Sequence, residues 1–184
     1  IIAMHHEQDI RKMGGLKKYM PITYWTALIG SLALIGFPGL SGFFSKDSII
    51  EAVHASEIAG SGFAYFAVIT GVFITALYSF RLFFLVFHGK ERFDTHNGHA
   101  PHESPAVVTL PLILLAIPSV VAGYLIGPMV FGDFFGNSIM VKADHDVLAH
   151  VGEEYHGVFG FILHGMTQLP FWLAMSGVAT AYYL

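Results

Sequence analysis

An apolar run that starts near Thr23 is cut by Gly36-Phe37-Pro38-Gly39-Leu40-Ser41-Gly42-Phe43-Phe44-Ser45-Lys46-Asp47 and resumes at Ile49. Nothing else in the chain restricts its fold as much. Pro38 lacks a backbone donor and its ring clashes with the preceding turn, while Gly36, Gly39 and Gly42 bring backbone freedom that a continuous helix does not use. A helix is expected to break here, with helical hydrogen bonding lost between about Gly36 and Ser45. Inside a bilayer such a break is tolerated only where the freed backbone groups face protein or a wet cavity. Lys46 and Asp47 follow directly. An ionisable residue at membrane depth costs roughly 2.5–3.5 kcal/mol on insertion scales, which makes it a functional candidate. The competing reading is a helix–loop–helix whose charges sit at the water interface.

A bilayer is the right setting because only 12% of the residues are charged and 54% are hydrophobic, with a mean hydropathy of +0.62. Soluble domains carry about a quarter charged residues. With no cysteine, disulfides, thiolate metal sites and iron–sulfur clusters are excluded. Ile1-Ile2-Ala3-Met4 has neither an initiator methionine nor a basic stretch, so it does not read as a signal peptide. It reads as the end of an earlier helix, and Ala181-Tyr182-Tyr183-Leu184 shows no polar tail. The expectation is a piece of a larger polytopic protein.

The expected order is a partial helix at 1–4, a polar connector at 5–20, and a broken span over 21–56. Spans at about 63–88, 106–130 and 157–184 follow. Pro21 suits a first helical position, and Tyr19, Tyr24 and Trp25 suit the headgroup level. Pro111, Pro118, Gly123 and Pro128 are better tolerated in a membrane helix than in a soluble one. Pro170 is expected to kink the last span. Connectors 5–20 and 89–105 hold six of the nine basic residues, and Arg81 lies close to the second; the alternate connectors hold only Lys142. By the positive-inside rule the basic connectors are cytoplasmic. The fold class is all-α, a polytopic transmembrane helical bundle with one discontinuous helix.

On the helix after the break, Asp47, Glu51 and His54 follow 4 and 3 spacing and line one face, whereas neighbours such as Lys46 and Asp47 diverge. Lys46 shares its face with Phe43, Ile49, Ile50 and Val53. An apolar surround disfavours the charged ammonium. A lysine able to lose its proton beside a carboxylate stripe is a proton exit. The alternative is a snorkelling lysine with a solvated stripe.

GFPGLSGFFSKD, preceded by HHEQDIRKMGGLKKYMP, resembles the antiporter-like subunit L family of proton-pumping NADH:quinone oxidoreductase, respiratory complex I, and the related Mrp-type cation/proton antiporters. The resemblance is strongest over residues 1–50 and rests mostly on hydropathy beyond. It implies an antiporter-like inverted-repeat fold, with a broken helix carrying a lysine late in the second of two five-helix repeats. It also implies that Lys46 is a terminal proton-handling lysine with Asp47 its neighbour toward the exit. Transport through this Lys/Asp relay would be driven by quinone reduction elsewhere in the complex. The implied partners are other membrane-arm subunits, the lipid bilayer and protons, with NADH and quinone bound by other subunits and no cofactor in this chain. The implied location is a bacterial-type inner membrane. The earlier channel helices of the family pattern are not in this sequence, so this stretch alone is not expected to pump. Alternatives are an Mrp-type sodium/proton antiporter subunit and a structural membrane-arm subunit.

Other residues are candidates as well. His5 and His6 stand at the edge of the first connector and could join a proton path, although paired histidines at a helix end are commonly interfacial. Arg81 lies seven residues, about 10 Å, before His88, within reach of snorkelling or of an intramembrane role. His164 and Gln168 share a face at i and i+4 and read as polar glue. His96, His99 and His102 have a spacing that suggests a metal, but Gly98 and Pro101 interrupt them and no cysteine supports them, so no metal is expected. No phosphate-cradling loop or nucleophile–base pair is present, and the net charge of -4 does not favour nucleic acid.

Overall fold

The computed structural model describes residues 2–4, 6–93, 100–130, 134–138, 147, 152 and 157–184. Six α-helices order the described residues: α1 Pro21–Ile35, α2 Ser41–Ala55, α3 Ser61–Phe87, α4 Ala106–Val130, α5 Val158–Thr167 and α6 Leu169–Tyr183. No strand occurs among them. The chain is an all-α membrane bundle.

The break after α1 spans only Gly36–Leu40 and is shorter than the sequence suggests. Gly36 takes φ 77°, ψ 42°, a left-handed conformation open to glycine at little cost. Its N–H donates to the Ala33 carbonyl at 3.1 Å and the Phe37 N–H to the Leu32 carbonyl at 2.9 Å. This pair of bonds is a Schellman motif, and Pro38 prevents the helix from resuming at once. Gly42 through Ser45 are already helical. Gly42 instead lets the first turn of α2 lie against α1, since a Cβ there would overlap the Ala33 carbonyl.

Two helices, α3 and the Ala106–Leu125 stretch of α4, are long and apolar enough to cross a membrane. The α5–α6 pair makes a third if its 63° bend is one span. That bend falls at Gln168, with Pro170 in the first turn of α6, where a missing N–H is harmless. At 15 residues each, α1 and α2 reach only about 22 Å apiece, short of the roughly 30 Å hydrocarbon core. They cover membrane depth only together.

α3 packs most extensively on α6, and α1 and α2 both lie against α4. The main core joins Tyr24 and Ile35 of α1, Ile50 of α2, Val72, Ala76, Phe80 and Phe83 of α3, and Ala174 of α6. A second cluster, Phe43, Phe44 and Phe161, sits beside the break. Along α4, Leu110, Leu114, Leu115, Ile117 and Leu125 stay exposed, a surface suited to lipid or neighbouring helices.

The two basic connectors are clasped together. Arg92 donates from Nε to the Arg11 carbonyl at 2.9 Å and from Nη2 to the Leu85 carbonyl at 2.7 Å. Lys18 pairs with Glu91, and the Gly15 N–H donates to the His88 carbonyl at 3.2 Å.

Candidate functional site

α1 ends with carbonyls that have no partner within the helix. Lys46, one turn into α2, supplies one: its Nζ donates to the Ile35 carbonyl at 3.2 Å. A cation at a helix C-terminus also meets the negative end of the macrodipole, a contribution of about 0.3–1 kcal/mol when exposed and up to ~2 when partly buried. Lys46 is half-buried. The ammonium therefore sits on the broken end itself, an arrangement that an unbroken helix could not offer.

Asp47 is 6% exposed. Its carboxylate lies 3.9 Å from where a Cβ on Gly36 would sit and 3.3 Å from one on Gly165, so it occupies space left by two glycines, one at the break and one near the end of α5. No described residue donates a hydrogen bond to it, and Lys46 and Asp47 form no ion pair within 4 Å, in keeping with their divergent directions on the helix. Phe43 and Phe44 seal the other side against Phe161, with ring centroids 5.3 and 6.0 Å away.

Along the same face exposure rises. Asp47 is buried, Glu51 half-buried and His54 exposed, over about 10 Å of helix. The His54 ring packs on Tyr65 of α3 at 4.6 Å between centroids. The arrangement places ionisable groups in steps from the buried Asp47 carboxylate to the end of α2.

The other sequence candidates lie elsewhere. Arg81 is exposed near the far end of α3 and does not join this group. His6 is exposed, in a left-handed turn with φ 69°. His5, His96 and His99 lie outside the described residues. His102 points its Nδ1 at the Glu103 carbonyl, 2.9 Å away. His164 and Gln168 contact each other at 2.6 Å, bridging the bend between α5 and α6.

Glu103 is the residue that sequence reasoning missed. Its carboxylate accepts from the Ile22 N–H at 2.7 Å, the Thr23 N–H at 3.3 Å and the Thr23 hydroxyl at 2.6 Å. It thus caps the N-terminus of α1, where Met20 offers no side-chain cap. The signal was an uncapped start at Met20-Pro21; the partner, 80 residues away, was not readable. Partial burial would raise this carboxyl, but the bonds from Thr23, Ile22 and Ser104 outweigh it and hold it below its ordinary value of 4.5.

Residues 1–77 match the family model described as "NADH:quinone oxidoreductase/Mrp antiporter, TM". The whole chain is 52% identical to NADH-quinone oxidoreductase subunit L of Neisseria meningitidis serogroup A, covering 30% of that protein. It is 45% identical to the subunit L of Rhodobacter capsulatus over 72% of this chain and 20% of that one. NADH-ubiquinone oxidoreductase chain 5 of Marchantia polymorpha is 43% identical over 81% of this chain and 23% of its own length. The chain thus spans less than a third of the length of the curated relatives it matches. Its helices and these relatives together mark it as a multi-pass membrane protein of the bacterial plasma-membrane type.

Proposed function

Because the chain belongs to the antiporter-like membrane family of NADH-quinone oxidoreductase subunit L, we propose that it is part of a proton-translocating membrane subunit of complex I. In this reading protons pass through Lys46 and Asp47 and leave along Glu51 and His54. The drive comes from quinone reduction in other subunits, which also bind NADH, and electrons do not enter this chain. One observation carries the reading: the Lys46 ammonium rests on the Ile35 carbonyl at the broken end of α1, with the buried carboxylate of Asp47 next to it in sequence. Any shift of α1 against α2 alters the donor–acceptor match at Lys46. A conformational signal can then change how firmly the proton is held.

The same hydrogen bond also supports a second reading, in which Lys46 is a fixed charge that holds the break closed. Two substitutions in the full-length subunit separate them. Lys46→Ala removes both roles. Lys46→Arg keeps a donor and a charge but does not deprotonate under working conditions. Protons pumped per NADH oxidised in vesicles, at equal assembly, should fall in both variants if Lys46 exchanges its proton. Near-normal pumping in the arginine variant would reject exchange and leave only the fixed charge. An Mrp-type exchanger, also named in the matched family's description, would instead show activity that depends on sodium.

A further inference from the structure

Arg81 has no hydrogen-bond or ion-pair partner among the described residues, although it belongs to a span. It lines a cleft of about 440 Å³ with Phe84, His88, Arg92, Tyr182 and Leu184, within the roughly 300–1,000 Å³ of small-molecule sites. Six positions separate Arg81 from Phe87, the last residue of α3, so its Cα lies about 9 Å below that end. An arginine there snorkels toward the headgroups. Arg92, at the rim, spends Nε and Nη2 on the carbonyls of Arg11, Ile10 and Leu85; no described acceptor takes the N–H groups of Nη1. The wall beside them is apolar, with Tyr182 edge-on to Phe84 at 5.5 Å. Among the described residues, no Asp or Glu side chain lines the cleft.

We propose that this cleft holds the phosphodiester of an anionic glycerophospholipid from the leaflet facing the basic connectors. Arg81 binds it through its planar fork, Arg92 adds a second positive charge, and the glycerol and upper acyl chain run along Phe84 and Tyr182. A guanidinium matches two phosphate oxygens at once, and a basic pocket between helices beside a cytoplasmic surface suits a lipid headgroup. The site is separate from the proton-handling group and does not depend on that reading.

The test uses the full-length subunit in its assembled, purified membrane complex, reconstituted with trace photoactivatable phosphatidylglycerol or phosphatidylcholine. Labelling is mapped to peptides containing residues 78–92 and 180–184. Phosphatidylglycerol should label these peptides well above phosphatidylcholine. Arg81→Gln should lower that labelling at least about tenfold, the loss expected when a charged hydrogen-bond pair goes, and Arg81→Lys should restore part of it. Excess inorganic phosphate should not compete. Equal labelling by the two lipids, a measurement on the unsubstituted complex, would overturn the proposal. So would unchanged labelling in Arg81→Gln, full displacement by free phosphate, or protection of the cleft by another polypeptide.

Discussion

Gly165 sits where α5 passes both the Phe43 ring and Asp47, and it fixes how tightly the pocket around that carboxylate closes. A methyl group added there would overlap the Phe43 ring and come within 3.3 Å of Asp47 Oδ2. Overpacking of this kind costs about 1–3 kcal/mol, and here it pushes on the carboxylate as well. Gly165→Ala should therefore lower the unfolding free energy of the subunit by that amount and reduce pumping. Gly71→Ala, inside α3 and with nothing within 4 Å, should leave pumping unchanged and cost no stability, since alanine is favoured over glycine in a helix interior; equal losses in the two variants would remove Gly165 from the site. Asp47→Asn keeps the shape and removes the titrating group. Pumping per NADH should drop in that variant while assembly stays normal. Retained pumping would take Asp47 out of the path and leave Lys46 to act without it.

At the scale of the helices, the site depends on how α1 begins and ends. Its end is set by the Gly36 turn, and Gly36→Ala would force a Cβ into φ 77° and to 3.3 Å from the Lys46 side chain. A left-handed residue other than glycine costs about 1–2 kcal/mol. The variant should lose at least that much stability, and Gly36→Asn should lose less. Its start is held by Glu103. A carboxylate held low in the folded state adds stability above its unfolded value, and that stability is lost as pH falls through the folded value. The cap is thus complete at neutral pH and released in acid, below about 4.5. Amide exchange at Ile22 and Thr23 should lose protection over that range, and Glu103→Gln should abolish the pH dependence. If the wild-type amides keep their protection at low pH, the carboxylate is not the cap that matters. Substituting an N-cap with alanine costs about 0.5–2 kcal/mol, so Glu103→Ala should weaken α1 by that order at neutral pH and by little in acid.

In the molecule as a whole, the elements that sequence patterning names clearly are the ones with local causes. Pro38 and its glycines announce the break, and long apolar runs announce α3 and α4. The width of the break was not legible, because Gly42 serves packing against Ala33 rather than a turn, and packing partners are not written locally. Glu103 on α1, Gly165 beside Asp47 and Arg92 on the first connector share that reason: each joins segments far apart in sequence. The clasp does bear on orientation. Tyr24 of α1 meets Phe87 and His88 of α3 at ring centroids 5.5 and 5.7 Å away, and Tyr182 of α6 meets Phe84 at the same end. The start of α1 and the ends of α3 and α6 therefore share one edge, the edge that gathers Arg11, Lys12, Lys17, Lys18, Lys90 and Arg92. Position of lysine and arginine sets orientation, whereas total charge does not, so the net charge of -4 does not oppose a cytoplasmic assignment for that edge. Ser138 lies beyond the far end of α4, which spans about 37 Å at 25 residues and 1.5 Å each. Lys90→Cys and Ser138→Cys, in a cysteine-free full-length background, should react with an impermeant maleimide from opposite faces of sealed vesicles, Lys90→Cys only from the cytoplasmic one. Both are exposed, so a lack of reaction at one face reports sidedness rather than burial. Labelling of the two from the same face would mean that α4 does not cross, and the proposed exit along Glu51 and His54 would then have no outside to reach.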